Sequence, residues 1–406
     1  MVVGGPQLSC VAFGSPRKEA VVRKLARRIV NRVLRSVRSC LSEQMEFNRL
    51  HRKTPELLWK TCAHCPVTRT EPAGRKIGHE CFVIGGYHTL DCVLSVVDVF
   101  DLDKRRWTAR IAMPPSMPQT HLGVASDDSR YLYFAGGQFG PQACPAVAAG
   151  FVLDTQNRTW GSLPPVPEPR YSLTAQLWRG RLHVLSGSKP DRNTPACEHW
   201  SLAVEKGKAL ENRWQEEVPV PRGGPHRASA VINDRLYTLG GEEGDVAPFP
   251  GDPKYTCNWD TPVEKSYGDS FVLEGGAERW KPVAPMPYAR AHTEHSIAKI
   301  GQYAVIVGGI ADRYTYEDLI QVYDTETDRW WTAGRLPYGM KTSAVYHDGW
   351  LFAMAGQRSR SREDPKPGEV LRSVWRAKFD PAQQFGVVNG LGMYPTNSLE
   401  DARRAA

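Results

Sequence analysis

The sequence places cationic and imidazole side chains in several short segments that are rich in turn-forming residues. An arginine ends the Pro-rich loops SLPPVPEPR and PVAPMPYAR, and VPRGGPHRA packs two arginines and a histidine among Gly and Pro. Guanidinium, ammonium and imidazolium groups hold carboxylates or phosphates through charge-assisted hydrogen bonds. We therefore predict a ligand-binding set that consists of Arg69, His121, Arg170, Arg222, His226, Arg227, Arg290, His292 and Lys341. The alternative for any single arginine is a structural role, in which it bonds neighbouring loop carbonyls.

Proton transfer is the second chemistry that these segments offer. A carboxylate or imidazole beside an arginine can act as a general acid or base. Glu294, with His295 next to it, and His226 with Arg222 are the candidate residues for such a reaction. The alternative is that Glu294 only pairs with a neighbouring arginine.

Metal and cofactor sites are not indicated by the cysteine pattern. Cys62 and Cys65 form the only close pair, and a structural zinc site would need a second pair at compatible spacing. We also find no Tyr/Tyr/His/His set of the kind that holds copper in galactose oxidase. We expect no metal and no cofactor, and the nine scattered cysteines do not resemble a disulfide framework.

An internal repeat indicates which elements position these residues. Short apolar runs such as CFVIGG and LYTLGG end in Gly-Gly or a one-Gly variant six times, at Gly86, Gly137, Gly187, Gly241, Gly309 and Gly356. This spacing is near the period of about 50 residues that is typical of kelch repeats. An aromatic strand, a polar turn, a Trp and a Pro-rich loop then follow in most copies. Each unit therefore predicts a four-stranded sheet.

The sixth unit lacks a fourth strand at its C-terminal end, because Trp375 stands in a third-strand setting. Near the start of the chain, Trp59 precedes Arg69 by the same ten residues that separate Trp160 from Arg170. We therefore predict an all-β, six-bladed kelch β-propeller over residues 55–381, in which an N-terminal strand closes the last blade. Strand parity puts the loops between strands four and one, and between strands two and three, on one face with the predicted ligand residues.

Whole loops of the chain resemble one known family. The motifs LWRGRLHVLSGSK, VPRGGPHRA, HLGVASDD and QFGPQ are similar to those of the plant kelch-repeat-containing proteins of the galactose oxidase/kelch superfamily, over roughly residues 59–380. The resemblance implies a kelch propeller, and it implies a Golgi or endomembrane location, since several members look like type II membrane proteins. Some six-bladed kelch propellers also look like sugar isomerases.

The net charge of +8 is confined to one end of the chain. Residues 1–53 carry twelve Lys/Arg against three Asp/Glu, a balance of +9, which leaves −1 for the rest. We therefore expect no nucleic-acid partner for the propeller. We interpret residues 1–54 as a basic leader with an amphipathic helix over 20–41, suited to a membrane surface or an organellar transit peptide. Residues 382–406 are predicted to form a disordered tail.

These features favour a monomeric, non-enzymatic scaffold that recognises an anionic partner, either an acidic peptide or an acidic glycan. The alternative is a carbohydrate-active enzyme of the mutarotase or epimerase type. An insertion over about 242–268, with Cys257 and Trp259, suits a peptide or sugar contact, or is a plain surface excursion. The sequon at Asn157 and the family resemblance favour the endomembrane system, whereas the Arg-rich leader favours the cytoplasm or an organelle.

Overall fold

The computed structural model describes residues 54, 57–89, 92–139, 145–191, 194–244, 265–361, 363–383 and 386–388. All of them belong to a unit that begins at Thr54. The predicted helix over 20–41 lies outside the described residues, and so do Cys257 and Trp259 of the insertion. Within the described ranges we find no helix long and apolar enough to cross a membrane.

Six antiparallel sheets follow one another along the chain, and we number them blades 1 to 6. In blades 1 to 5 the four main strands pair in sequence order, and in blade 6 the fourth strand comes from the N-terminal end of the propeller. The strands of blades 1 to 3 are Ala73–Ile77, Glu80–Ile84, Val96–Asp101 and Arg106–Ala112; Gly123–Ser126, Tyr131–Ala135, Gly150–Asp154 and Thr159–Leu163; and Thr174–Trp178, Arg181–Leu185, His199–Glu205 and Gln215–Glu216. Those of blades 4 to 6 are Ala228–Ile232, Arg235–Leu239, Ser270–Glu274 and Lys281–Val283; Ile297–Ile300, Tyr303–Val307, Leu319–Asp324 and Arg329–Arg335; and Met340–His347, Trp350–Ser359, Pro367–Lys378 and Lys60–Thr61.

Short elements extend these sheets. Lys208–Ala209 adds to blade 3, and Gly386–Val388 adds a fifth strand to blade 5 by pairing with Trp330, Trp331 and Thr332. This last strand lies within residues 382–406, which were predicted to form a disordered tail, and its backbone pairs with the edge of blade 5. Two small hairpins, Tyr87–Thr89 with Cys92–Val93 and Ile310–Ala311 with Thr315–Tyr316, follow second strands, and the 3-10 turn Asp312–Tyr314 lies within the latter.

The first strands of the six blades surround a central channel. Each first strand contacts the first strand of the next blade, and that of blade 6 contacts that of blade 1. They line a cavity of about 500 Å³. The packing between them is close, since a Cβ on Gly74 would lie 2.8 Å from the Cβ of Ser343.

The apolar core consists of layers between neighbouring blades. One buried cluster joins each pair of neighbours, and the cluster between blades 6 and 1 includes Val83, Phe100, Phe352 and Val374. A four-stranded sheet cannot bury both of its faces alone, so radial packing supplies the burial that a single blade lacks. All-β architecture and six blades therefore follow from one repeated unit.

Six tryptophans, one at each fourth strand, link neighbouring blades. Their Nε1 atoms each donate a hydrogen bond to a backbone carbonyl oxygen of the preceding blade, at 2.7 to 3.1 Å; they are Trp59, Trp107, Trp160, Trp214, Trp280 and Trp330. Two of these bonds involve the N-terminal segment, from Trp59 to Arg335 O and from Trp107 to Ala63 O. The backbone of Lys60 and Thr61 also pairs with Arg376 and Trp375 in the third strand of blade 6. Lys60–Thr61 therefore lies beside the third strand of blade 6.

Candidate functional site

The connections between strands four and one, and those between strands two and three, lie on the same face, which we call the loop face. Single β-bridges join the two kinds of connection, as between Thr70 and Tyr87 or between Thr120 and Gln138. Similar bridges occur in blades 3, 4 and 5. The gathering of both kinds of loop at one end of the ring agrees with the strand-parity argument.

Four arginines of the predicted ligand set, Arg69, Arg170, Arg227 and Arg290, are buried, and so are His121, His226, His292 and Lys341. The Arg69 guanidinium pairs with the buried carboxylate of Asp98 and donates to the carbonyl oxygen of Val83 at 3.2 Å. These contacts join the loop before blade 1 to its second and third strands.

The other three buried arginines also contact residues of the blades and loops. Arg170 lies 3.2 Å from Glu198 and over Trp200, Arg227 donates to Thr238 Oγ1 at 2.7 Å, and Arg290 lies 3.3 Å from Glu317. The four arginines that were predicted to hold an anionic ligand therefore lie inside the packing of blades and loops. Their guanidinium groups satisfy blade and loop acceptors, which is the structural alternative.

The proton-transfer hypothesis requires Arg222 beside His226, but the Arg222 guanidinium contacts other residues. Its guanidinium pairs with Asp269, contacts Glu243 at 2.7 Å, and stacks 3.9 Å above the ring of Tyr267. These contacts separate its role from that of His226, which faces Glu294. The side chain is about a quarter exposed, so Arg222 remains reachable on the loop face.

The remaining predicted residues meet where the first strands begin. Glu71, His121, Ser172 and His226 each stand two residues before a first strand, and each has a positive φ of 53 to 59°. Their backbones are joined blade to blade, because Ser172 N donates to His121 O at 3.0 Å and His226 N donates to Ser172 O at 3.1 Å. His292, also with φ 54°, lies five residues before the first strand of blade 5. One repeated backbone conformation therefore gathers side chains from different blades.

We call the resulting group the mouth cluster; it consists of Glu71, His121, His226, Glu242, His292, Glu294 and Lys341. One part is centred on the Glu71 carboxylate. His121 Nε2 lies 2.6 Å from Glu71 Oε2, His292 Nδ1 lies 3.3 Å from Glu71 Oε1, and the Lys341 ammonium also pairs with Oε1. Burial alone would raise the pKa of Glu71, but Lys341 and His121 hold it well below its usual range.

The other part is centred on His226. Its Nδ1 lies 2.7 Å from Glu294 Oε1, and its Nε2 lies 3.2 Å from Ser172 Oγ. The ring stacks on His292 with 3.6 Å between centroids. Burial opposes the charged form of His226, but Glu294, Glu242 and Glu71 together raise its pKa to about 9. Burial also opposes the charged form of Glu294, but His226, with His295 and His292, lowers the pKa of this carboxyl.

Two other imidazoles, that of His292 in the mouth cluster and that of His295 beside it, are neutral at pH 7. Burial, with His226 and Lys341 nearby, lowers the pKa of His292 to about 4. Burial and the neighbouring Arg75 lower the pKa of His295 to about 3, and Arg75 Nη1 lies 3.4 Å from His295 Nδ1. His295 therefore belongs to the channel wall beside Arg75.

Three residues of this site were not predicted from the sequence, namely Glu71, Ser172 and Glu242. A signal existed for the first two, because they occupy the position of His121 and His226, two residues before a first strand. Glu242 follows Gly241 in a connection between strands two and three, and nothing in its local sequence indicates that it faces His226 and His292. The five cysteines whose thiols are described, Cys62, Cys65, Cys81, Cys92 and Cys197, are free.

Comparison with known proteins agrees with this architecture. Residues 73–252 match the family model described as the KLHDC2/KLHL20/DRC7 Kelch-repeats domain. The Kelch repeat-containing protein At3g27220 of Arabidopsis thaliana is 40% identical over 332 residues, which are 80% of this chain and 77% of the relative. This chain belongs to the plant family of kelch-repeat-containing proteins.

More distant proteins also resemble the chain. Kelch-like protein 41a of Danio rerio is 24% identical over 68% of this chain, and the match spans 43% of that protein. The solved structure of YjhT has a TM-score of 0.56 and 14% identity, and covers 77% of this chain and 95% of its own. At that identity, the likeness to YjhT shows a shared fold and nothing about function.

Proposed function

We propose that this kelch protein is a non-enzymatic scaffold that binds a partner protein through its loop face. Kelch propellers typically act as protein-interaction scaffolds. The observation that supports the proposal is the set of β-bridges that join the two kinds of loop on the loop face. Bridges such as Thr70 to Tyr87, and buried arginines such as Arg69, hold these loops in fixed positions. A surface that is rigid before binding loses less conformational entropy when the partner docks.

The accessible cations of the loop face support an anionic partner segment. Lys189, Arg222 and Arg358 are each between about a quarter and two fifths exposed. Each has an acidic neighbour, as in the 3.0 Å contact between Lys189 and Glu198. These acids hold the cations in place, and a partner carboxylate or phosphate would compete for them. We infer an acidic peptide as the ligand, and an acidic glycan is the other outcome that the test distinguishes.

The experiment reverses charge on one face and compares it with the opposite face. The loop-face variant is Lys189→Glu, Arg222→Glu and Arg358→Glu. The matched control is Arg105→Glu, Arg158→Glu and Lys206→Glu, three exposed positions in turns between strands three and four. Both triple variants change the net charge by the same amount, so non-specific electrostatic attraction falls equally.

Purified full chain and both variants would be titrated with arrays of acidic peptides, phosphopeptides and acidic oligosaccharides. We expect the loop-face variant to lose at least about tenfold in affinity for the bound peptides, and the control to bind as the original chain does. Binding that falls only in the control, or that survives both variants, would overturn the assignment of the loop face. Selective binding of oligosaccharides would replace the peptide by an acidic glycan.

A second candidate function is an isomerase of the mutarotase or epimerase type. Two carboxylate and imidazole pairs in the mouth cluster favour it, Glu71 with His121 at 2.6 Å and Glu294 with His226 at 2.7 Å. Such pairs can donate and accept protons at a sugar ring. NMR exchange measurements on a panel of aldoses and acidic sugars would show catalysed ring interconversion. No acceleration by the folded chain would remove this candidate.

A further inference from the structure

Two histidines and one glutamate of the mouth cluster converge on one point. His226 Nε2 and His292 Nε2 each lie 3.8 Å from Glu242 Oε1, and the three ligand atoms lie within 4.8 Å of one another. All three residues are buried. A separation of 3.8 Å is too long for a hydrogen bond. Ligands of one tetrahedral ion, each about 2.1 Å from it, lie about 3.4 Å apart, so the three ligand atoms would have to approach one another and the stacked rings of His226 and His292 to tilt.

The two histidines are oriented from behind by carboxylates. Glu294 contacts Nδ1 of His226 at 2.7 Å, and Glu71 contacts Nδ1 of His292 at 3.3 Å. In metal sites the second ring nitrogen of a ligating histidine usually bonds a carboxylate or carbonyl, which fixes the ring and leaves Nε2 for the ion. Both imidazoles therefore present Nε2 toward Glu242.

We propose that His226, Glu242 and His292 form a site for one divalent transition-metal ion of the zinc type. Two imidazole nitrogens and one carboxylate match the ligand preference of such ions, whereas magnesium and calcium prefer sites built from oxygen. Three protein ligands leave a further coordination position for water or a ligand. The site does not depend on the scaffold function, because it uses buried side chains and not the exposed cations.

Ser172 provides a local competitor for the ion. Its hydroxyl lies 3.2 Å from His226 Nε2, the same atom that would bind the metal. Metal binding must break this contact. Ser172→Ala should therefore leave the affinity for Zn²⁺ unchanged or make it tighter.

The experiment uses the purified full chain after treatment with a chelator. Zn²⁺ titration by calorimetry should give one ion per chain, and Zn²⁺ should raise the thermal midpoint by mass action. Glu242→Gln, which keeps the side-chain volume, and His292→Gln should each weaken binding by more than about 100-fold, since loss of an outer carboxylate alone typically costs about 10 to 100-fold. Glu294→Gln should show that smaller loss.

The matched control is His347→Ala. It disrupts the exposed group of Asp103, His347 and Asp348, the second candidate cluster that the described residues contain. This variant should keep Zn²⁺ affinity. Absence of saturable binding, or binding that survives Glu242→Gln and falls with His347→Ala, would overturn the proposal.

A spectroscopic measurement on the original chain tests the proposal even if the variants fail to fold. Co²⁺ added to the chelated original chain should give the visible absorption bands of a four- or five-coordinate ion, and Zn²⁺ should displace it. Absence of these bands, together with no thermal shift on adding Zn²⁺, would also overturn the proposal.

Discussion

At the scale of single residues, buried charge on the loop face is neutralised by specific partners. Asp98 receives the guanidinium of Arg69 and that of Arg110, whose Nε lies 2.7 Å from Asp98 Oδ1. Removing one member of such a group leaves an uncompensated buried charge, which is costly. The arginines that first suggested a ligand site therefore hold the loops from inside.

Replacing Arg69 by Ala should lower the free energy of unfolding by about 3–5 kcal/mol, because Asp98 then loses a buried partner. Lys189→Ala, which removes an exposed ion pair, should cost less than about 1 kcal/mol. Urea unfolding followed by tryptophan fluorescence measures both. Equal effects of the two substitutions would contradict the structural role of Arg69.

A second pair of buried residues, His183 and His199, makes stability depend on pH. His199 Nδ1 donates to Val218 O at 3.0 Å, so its Nε2 accepts the Nδ1 hydrogen of His183 at 2.8 Å. Burial lowers the pKa of His183 to about 3 and that of His199 to about 4. Both rings are therefore neutral in the folded chain at pH 7.

In the unfolded chain both histidines titrate near pH 6.5. Their contribution to stability is complete above that value and is lost as the pH falls toward about 4 and then 3. Each should lower the free energy of unfolding by about 1.4 kcal/mol per pH unit in this window. Urea titrations between pH 7 and 4.5 should show a flatter slope for His183→Gln than for the original chain. An unchanged slope, or equal flattening by the exposed-site control His64→Gln, would refute this origin.

At the scale of elements, a glycine with positive φ lies in or just after the second strand of every blade. In blade 6, Gly356 has φ 106°, and a Cβ there would lie 2.0 Å from the carbonyl oxygen of Lys341. Gly349 in the same blade has φ 76°, but the nearest atom to its Cβ would be Lys378 Nζ at 3.6 Å. The two positions share backbone conformation and differ in the space available.

Gly356→Ala should therefore destabilise the fold by roughly 2–5 kcal/mol, combining left-handed backbone strain with overpacking. Gly349→Ala should cost only about 1–2 kcal/mol, the strain alone. Thermal and urea unfolding of both variants test this comparison. A similar loss at both positions would show that close approach of the loop backbone is not what requires glycine.

At the scale of the whole molecule, the N-terminal segment joins the two ends of the ring. Pairing of Lys60 and Thr61 with blade 6, and the bonds from Trp59 to blade 5 and from Trp107 to Ala63, bring the start of the propeller onto its last sheets. We propose that this strand closes the propeller. A blade without it would expose the edge of its third strand.

Deleting residues 1–62 should therefore lower the melting temperature of the whole propeller, whereas deleting 1–53 should leave it unchanged. Differential scanning calorimetry of the two truncated chains and the full chain gives the comparison. Identical melting temperatures for the two truncations would disprove closure by this strand.

The cellular compartment of this protein can be tested at Asn157, which lies in an exposed turn. Its side-chain amide donates to Asp154 Oδ2 at 2.9 Å and lies exposed, where a glycan would fit. We expect an endomembrane location for a C-terminal fluorescent fusion, and a mobility shift on glycosidase treatment that Asn157→Gln abolishes. An unglycosylated chain found only in cytosol or mitochondria would favour a cytosolic adaptor.

The all-β repeat, its six copies and the kelch family could be predicted from the amino-acid sequence. The reason is that each signal is local and recurs: a glycine after an apolar run, and a tryptophan on the fourth strand. The N-terminal Trp59 was recognisable because it repeats the spacing of Trp160 to Arg170. Such patterns can be recognised without knowing which blades are in contact.

Which charged residues are reachable, and which lie close together, could be learned from the folded chain alone. Arg222 and Arg227 stand five residues apart in one loop, yet Arg222 is partly exposed and Arg227 is buried. Glu242, His226 and His292 come from different loops, and they lie close together because blades 4 and 5 are neighbours in the ring. Side-chain direction beyond a strand end depends on φ and on radial position, and neither can be read from composition or periodicity.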